Sequence, residues 1–195
     1  MQTSATARPI YDAWGLNGKP VVRFDGTDDW MALSSLYLDG DITVFFLTEN
    51  VTQTTGGSYH RGLLAADNDP YRLDGDGYGF GYGRKNADRF RISIGNGASE
   101  QAVQNMPPAT EEFEVIAYSH DLGWGELHRN GVLVASAAQT RSSDFHTGYE
   151  LGTQYIGDRY YVGAIAEVIV YDRALSASEI ASVEMYLTEK WGIVF

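Results

Sequence analysis

Ring-bearing residues set among carboxylates and arginines are what this chain offers to chemistry, and they suit the recognition of sugars. A sugar presents apolar C–H faces and rims of hydroxyls, so its site needs exposed aromatic plates flanked by hydrogen-bond donors and acceptors. Thirteen tyrosines and four tryptophans exceed what one core requires, and several stand in polar, loop-like surroundings. These are Tyr59 beside His60 and Arg61, Tyr71 beside Arg72, Trp124 between glycines, Tyr149, and Tyr155 near Asp158, Arg159 and Tyr160. Any one tyrosine also fits the edge of a core with its hydroxyl wet, so the sugar reading requires that they cluster. Trp14, Trp30 and Trp191 are expected to anchor the core or a helix instead.

A second grouping is acidic. Asp67, Asp69, Asp74 and Asp76 bring four carboxylates into ten residues of a Gly- and Pro-containing stretch, and hard oxygen donors of this kind suit calcium. No Glu stands at the twelfth position from Asp67 or Asp74, which excludes an EF-hand. The competing reading is that Asp and Asn hydrogen-bond their own turns there. Asp25, Asp28 and Asp29 are read as turn residues of that structural kind.

Catalysis finds little support. Retaining glycoside hydrolysis needs two carboxyls about 5 to 5.5 Å apart. Glu112 and Glu114 alternate along one segment, but Ile116 follows where a third acid would extend the row, and Glu167 is followed by Ile169 and Tyr171. His60, His120, His128 and His146 are scattered, there is no Gly-x-Ser-x-Gly elbow, and no cysteine can act as nucleophile or thiolate ligand. A glycoside hydrolase or polysaccharide lyase is therefore the weakest of the functional readings.

Charge and length narrow the partners. Fourteen basic against twenty-six acidic residues give a net charge of −12, which opposes binding to nucleic acid and to anionic membranes. Arg84 and Lys85 are the one adjacent basic pair, no apolar run approaches the roughly 20 residues of a spanning helix, and Met1–Pro9 lacks the pattern of a secretory signal. An exterior would then be reached by phage assembly, by a signalless route, or as a piece cut from a longer protein, and composition does not choose among these.

The elements that must hold these residues read as many short strands. Ile42–Leu47 is β-branched and aromatic, Gly62–Ala66 is a short apolar run, and Phe90, Ile92 and Ile94 alternate with polar residues. In Gly77–Gly83, Tyr78, Phe80 and Tyr82 share one face and bare glycines the other. That glycine face serves either close packing or a flat ligand platform. Asn130-Gly131 supplies the left-handed positions of a type I′ turn and fixes a hairpin over 126–137. Ser176-Ala177-Ser178-Glu179 is a capping box opening a helix, with Ile180, Val183, Tyr186 and Leu187 as its apolar stripe and Gly192 as its stop. The pattern predicts one domain, all-β, over residues 17–195, after an extension at 1–16.

Three separated stretches together carry a family likeness: Asn17–Pro20 leading to Phe24-Asp25-Gly26-Thr27-Asp28-Asp29-Trp30, the hairpin Leu127–Val132, and Gly163–Tyr171 running on through Leu175-Ser176 to Trp191-Gly192. In this order they resemble the concanavalin A-like lectin/glucanase superfamily in its laminin G-like branch, over roughly residues 17 to 193. The resemblance implies a two-sheet antiparallel jelly-roll sandwich and a calcium at the sandwich rim. It also implies a place in phage structural or bacterial surface proteins, as a module that binds or displays. The function expected is a non-catalytic carbohydrate-binding or adhesion module whose partner is a polysaccharide or cell-surface glycan. The alternative is a virion decoration, spike or assembly domain that meets other virion or surface-protein subunits. Fold alone does not decide between them.

Overall fold

A near-continuous apolar run, Ile42–Leu47, makes Ile42–Asn50 a strand buried on both sides, and both cores of the molecule pack against it. The computed structural model describes residues 4–33, 36, 38, 40–51, 61–66, 77–83, 89–95, 100–103, 111–139, 148–153 and 159–195. In chain order the strands are β1 (Ile10–Leu16), β2 (Lys19–Asp25), β3 (Met31–Leu33), β4 (Ile42–Asn50), β5 (Arg61–Ala66), β6 (Gly77–Gly83) and β7 (Arg89–Gly95). There follow β8 (Glu100–Val103), β9 (Phe113–Asp121), β10 (Trp124–Arg129), β11 (Val132–Ala138), β12 (Tyr149–Leu151), β13 (Val162–Tyr171) and one helix, α1 (Ala177–Trp191). Seven strands form one sheet in the order β1-β2-β13-β4-β9-β10-β11, and six form the other in the order β3-β12-β5-β6-β7-β8. Every pairing is antiparallel. This is the expected sandwich.

The period of two along β4 divides its side chains between two cores. Ile42, Val44 and Phe46 face the other sheet and share a core with Leu64, Phe80, Ile92 and Tyr149 of that sheet and with Tyr118 and Leu127 of their own. Phe45 and Leu47 face outward and are covered by Leu175, Ile180, Leu187 and Trp191 of the helix and its lead-in. Phe80 is 1% exposed, so the aromatic face of β6 lies inside at that position, and a Cβ added at Gly81 would meet the Arg61 carbonyl oxygen at 2.2 Å. Close packing is the role of glycine there. Tyr149 is 1% exposed and belongs to this core, which removes it from the ligand candidates.

The turn and cap signals are met. Asn130 and Gly131 take φ of 49° and 79°, and the hairpin pairs Glu126 with Ser136 after a register shift beyond Leu127. Ser176 Oγ accepts from the Glu179 N–H while Glu179 Oε2 accepts from the Ser176 N–H at 2.9 Å, the two halves of a capping box. Asn17 Nδ2 donates to the carbonyls of Trp191 and Gly192 at 2.9 Å each, tying the far end of the helix to the β1–β2 turn.

Three expectations need correction. Residues 10–16 are not an extension but the edge strand of the seven-stranded sheet, paired with β2. On that edge Trp14 is 79% exposed instead of buried in a core, because the pairing breaks between Asp12 and Leu16 and, among the described residues, no strand pairs with β1 on its other side. Tyr186 is 48% exposed, and the buried place beside Leu187 goes to Glu184, whose Oε1 accepts the Gly131 N–H at 3.2 Å. Burial pushes the Glu184 carboxyl above its ordinary range, while the Gly131 N–H pulls it down.

The cap defines a test. Ser176→Ala is expected to cost about 1 kcal/mol in denaturant unfolding at neutral pH. The Arg173 guanidinium first, then the Ser176 N–H and hydroxyl, hold Glu179 at about 2. Because that folded value is depressed, its stabilising share is present above the usual glutamate range and fades as pH falls toward 2. A Glu179 carboxyl signal titrating near 4.5 in the folded protein would contradict the cap geometry.

Candidate rim site

At one end of the sandwich the apolar row of its central strand gives way to polar residues. On β4 the inward positions change from Phe46 to Thr48 and then Asn50, and opposite Thr48 on β9 stands Glu114. Glu114 is 1% exposed and ion-paired with Arg129 of β10, Nη2 to Oε2 at 2.5 Å. Tyr161, fully buried, places its hydroxyl 2.7 Å from Thr48 Oγ1 and 2.5 Å from the Glu49 carbonyl oxygen. Burial pushes that hydroxyl's pKa up, so it stays protonated.

Around this polar plug lies a rim assembled from distant parts of the chain. Arg61 opens β5 and donates from Nη1 to the Val51 carbonyl at 3.1 Å. The Gly62 N–H donates to the Arg159 carbonyl at 3.1 Å, the Tyr161 N–H donates to the Gly152 carbonyl at 2.8 Å, and Tyr160 bridges to Thr153. Phe24 meets Tyr161 edge to face, which brings the turn after β2 to the same end. In that turn the carboxylates of Asp25, Asp28 and Asp29 come within 4.8 Å of one another.

The turn bonds itself. Asp25 Oδ1 accepts the Thr27 N–H at 2.7 Å, and Asp29 Oδ2 accepts the Asp25 N–H at 2.9 Å. These bonds support the structural role read for the three aspartates. Their gathering also leaves a concentration of negative charge that the sequence did not reveal. Burial raises the Asp29 carboxyl above its ordinary range; the Asp25 N–H opposes this, and the charges of Asp25 and Asp28 add to it. Hard oxygens at this spacing suit a calcium ion by chemistry, although several lone pairs already serve the turn.

Of the predicted ligand residues, Arg61, Arg159 and Tyr160 therefore come together at this rim. Arg61 is 6% exposed, while Arg159 and Tyr160 are half-buried. Trp124 does not join them. It opens β10 opposite Asp121, at the far end of β9 from Glu114, a separation on the order of 24 Å for seven strand residues. Tyr59, Tyr71, Arg72, Tyr155 and Asp158 lie outside the described residues, as do Asp67, Asp69, Asp74 and Asp76.

A model of the concanavalin A-like lectin/glucanases superfamily, laminin G type, matches residues 25–181. The chain belongs to this superfamily. No curated protein matches it in sequence. Among solved structures, the CBM40 of the Ruminococcus gnavus IT-sialidase superposes with a TM-score of 0.63 at 17% identity, over 84% of this chain and 96% of that one. Domain 4 of AbnA, a GH43 extracellular arabinanase from Geobacillus stearothermophilus solved with arabinotriose, gives 0.67 at 17% identity, over 90% and 81%. The binding domain of Paraclostridial Mosquitocidal Protein 1 gives 0.72 at 11% identity, over 92% of this chain but 46% of that one. At these identities the likeness establishes the lectin-type sandwich itself.

Asp29→Asn keeps an acceptor for the Asp25 N–H and removes a buried charge repelled by its neighbours. Its melting temperature in EDTA at pH 7.5 is expected to equal or exceed that of the wild type. A fall of several degrees would mean that the charge itself is needed.

Proposed function

We propose that this lectin-type sandwich is a non-catalytic glycan-binding module, displayed on a virion or bacterial exterior, and that its rim around Arg159 and Tyr160 is the recognition site. The observation that carries the reading is the convergence of Arg61, Arg159 and Tyr160 with the Asp25–Asp29 turn at one end of the sandwich. Guanidinium donors, carboxylate acceptors and a ring are the groups that sugar hydroxyls and C–H faces call for. The names of two similar structures, a carbohydrate-binding module and an arabinanase domain solved with arabinotriose, point the same way.

The non-catalytic part of the reading draws on where the carboxylates sit. Glu114 is spent on Arg129 inside the sandwich, and Glu167 accepts from Trp191 Nε1 at 2.6 Å and from Lys190 Nζ at 2.8 Å. Neither is placed as one of two acids facing a cleft. Among the described residues no helix is long and apolar enough to cross a membrane. Calcium at Asp67, Asp69, Asp74 and Asp76 remains part of the proposal.

A glycan array probed with and without EDTA tests both parts. Binding to at least one glycan is expected, reduced at least tenfold by Arg159→Ala or Tyr160→Ala, and weakened by EDTA if calcium participates. Silence across the array from folded protein would remove the glycan reading and favour the assembly-domain alternative, with other surface subunits as the partner. Release of reducing ends or unsaturated products from a polysaccharide would make the protein an enzyme.

A further inference from the structure

We propose that the corner of the seven-stranded sheet built on Trp124 is a second sugar-binding platform, separate from the rim, and that it takes neutral or amino sugars and turns acidic ones away.

Strand alternation fixes which side chains share this corner. Leu127 faces the other sheet, and Gly125 faces the same way, since a Cβ there would lie 2.0 Å from Gln139 Oε1 and 2.9 Å from the Tyr118 hydroxyl. Trp124 and Glu126 therefore point to the opposite, outer face. The register completes the patch: Trp124 pairs with Asp121 on one side and Ala138 on the other, and Glu126 pairs with Ser119 and Ser136. Trp124 is 49% exposed, and Asp121, Ser136 and Ala138 are exposed as well. The helix covers the same face over β4 and β9, where Phe45, Leu47, Val115 and Ala117 lie beneath it.

Each member has a physical part in binding. The indole offers a flat apolar plate to the C–H face of a pyranose or furanose ring. Ala138 is too small to stand above the sheet beside it. Ser136 offers a hydroxyl, and Asp121 and Glu126 offer carboxylates that accept from sugar hydroxyls or from an ammonium. The backbone that carries the plate is also fixed. Tyr118 donates to Gln139 Oε1 at 2.6 Å beneath Gly125, and the Gln139 N–H donates to the Gly123 carbonyl at 2.8 Å, so both glycines flanking Trp124 are packed or bonded. A preorganised ring on a strand loses less entropy on binding than one on a loose segment.

The selectivity follows from charge. Two carboxylates border the plate, His128 of the same face stands 3.7 Å from Glu126, His120 opposite Gly125 is buried with its Nδ1 3.5 Å from Asp41, and the whole chain carries −12. A uronate or sialate placed on the indole meets like charge, whereas a neutral or cationic ring does not. The rim differs in setting the half-buried guanidinium of Arg159 beside its three aspartates, so an acidic sugar meets a guanidinium there that the described residues of the platform do not supply.

Site-resolved NMR of the full chain tests this. The Trp124 indole N–H is followed while maltotriose, cellotriose, chitotriose, arabinotriose and 3′-sialyllactose are titrated in turn. At least one neutral or amino trisaccharide is expected to shift it saturably, with 3′-sialyllactose at least tenfold weaker. Trp124→Ala should abolish the neighbouring shifts, Arg159→Ala should leave them in place, and Asp121→Asn with Glu126→Gln should narrow the tenfold gap. An indole unmoved by all four trisaccharides, or moved as strongly by 3′-sialyllactose, overturns the proposal. Because the readout is local, loss of rim binding alone leaves it standing. The wild-type shift decides the question even where a variant fails to fold.

Discussion

A strand that is apolar on both faces must be covered on both faces, and β4 imposes this on everything around it. Ile42, Val44 and Phe46 require a second sheet on one side, while Phe45 and Leu47 require something other than water on the other. The helix answers the second requirement, which explains why its cap, its C-terminal tie to Asn17 and its Glu184 contact with Gly131 are all specified. A helix of fifteen residues has little stability of its own in water, so these contacts and its buried stripe hold it in place. Without it, two large side chains of the central strand would face solvent.

The covered core then sets where polar chemistry can occur. Along β4 the inward row gives way at Thr48, and Glu114 and Arg129 enter as an ion pair inside the sandwich. Such a pair contributes little net stability, since desolvation offsets attraction, but removing one partner strands the other at a cost of about 3 to 5 kcal/mol. Both of its members are buried, so the ion pair belongs to the core, while Arg159 and Tyr160 are half-buried at the rim. The rim is where the last apolar layer ends.

Local signals in the sequence were sufficient for whatever is decided locally. The Asn130-Gly131 turn and the Ser176–Glu179 box are met because their bonds close within four residues. Trp14 was misread because nothing near it in sequence says that β1 lies at an edge. The buried place of Glu184 depends on the N–H of Gly131, fifty-three residues away, which no helical period can show. The same limit applied to the site. Ring, arginine and carboxylate are recognisable as types, but the distance of Trp124 from the rim of Arg61, Arg159 and Tyr160 follows from the register of β9 and β10, which no local signal shows. Likewise, Asp25, Asp28 and Asp29 were legible as a turn, while the approach of their carboxylates to 4.8 Å follows from how that turn closes.

The two recognition surfaces proposed above, joined by one sheet, would have a consequence that neither has alone. Once one end holds a glycan chain, the second contact is intramolecular, and its effective concentration depends on how well the polymer spans the fixed gap between rim and platform. A long, repeating polysaccharide can satisfy this geometry within one chain, whereas a short terminal sugar can engage one end only. The two ends also differ in charge, because the one bordered by Asp121 and Glu126 offers an acidic unit carboxylates, whereas the rim sets the Arg159 guanidinium beside its own aspartates. Weak contacts at each end would then favour extended surface glycans over free monosaccharides.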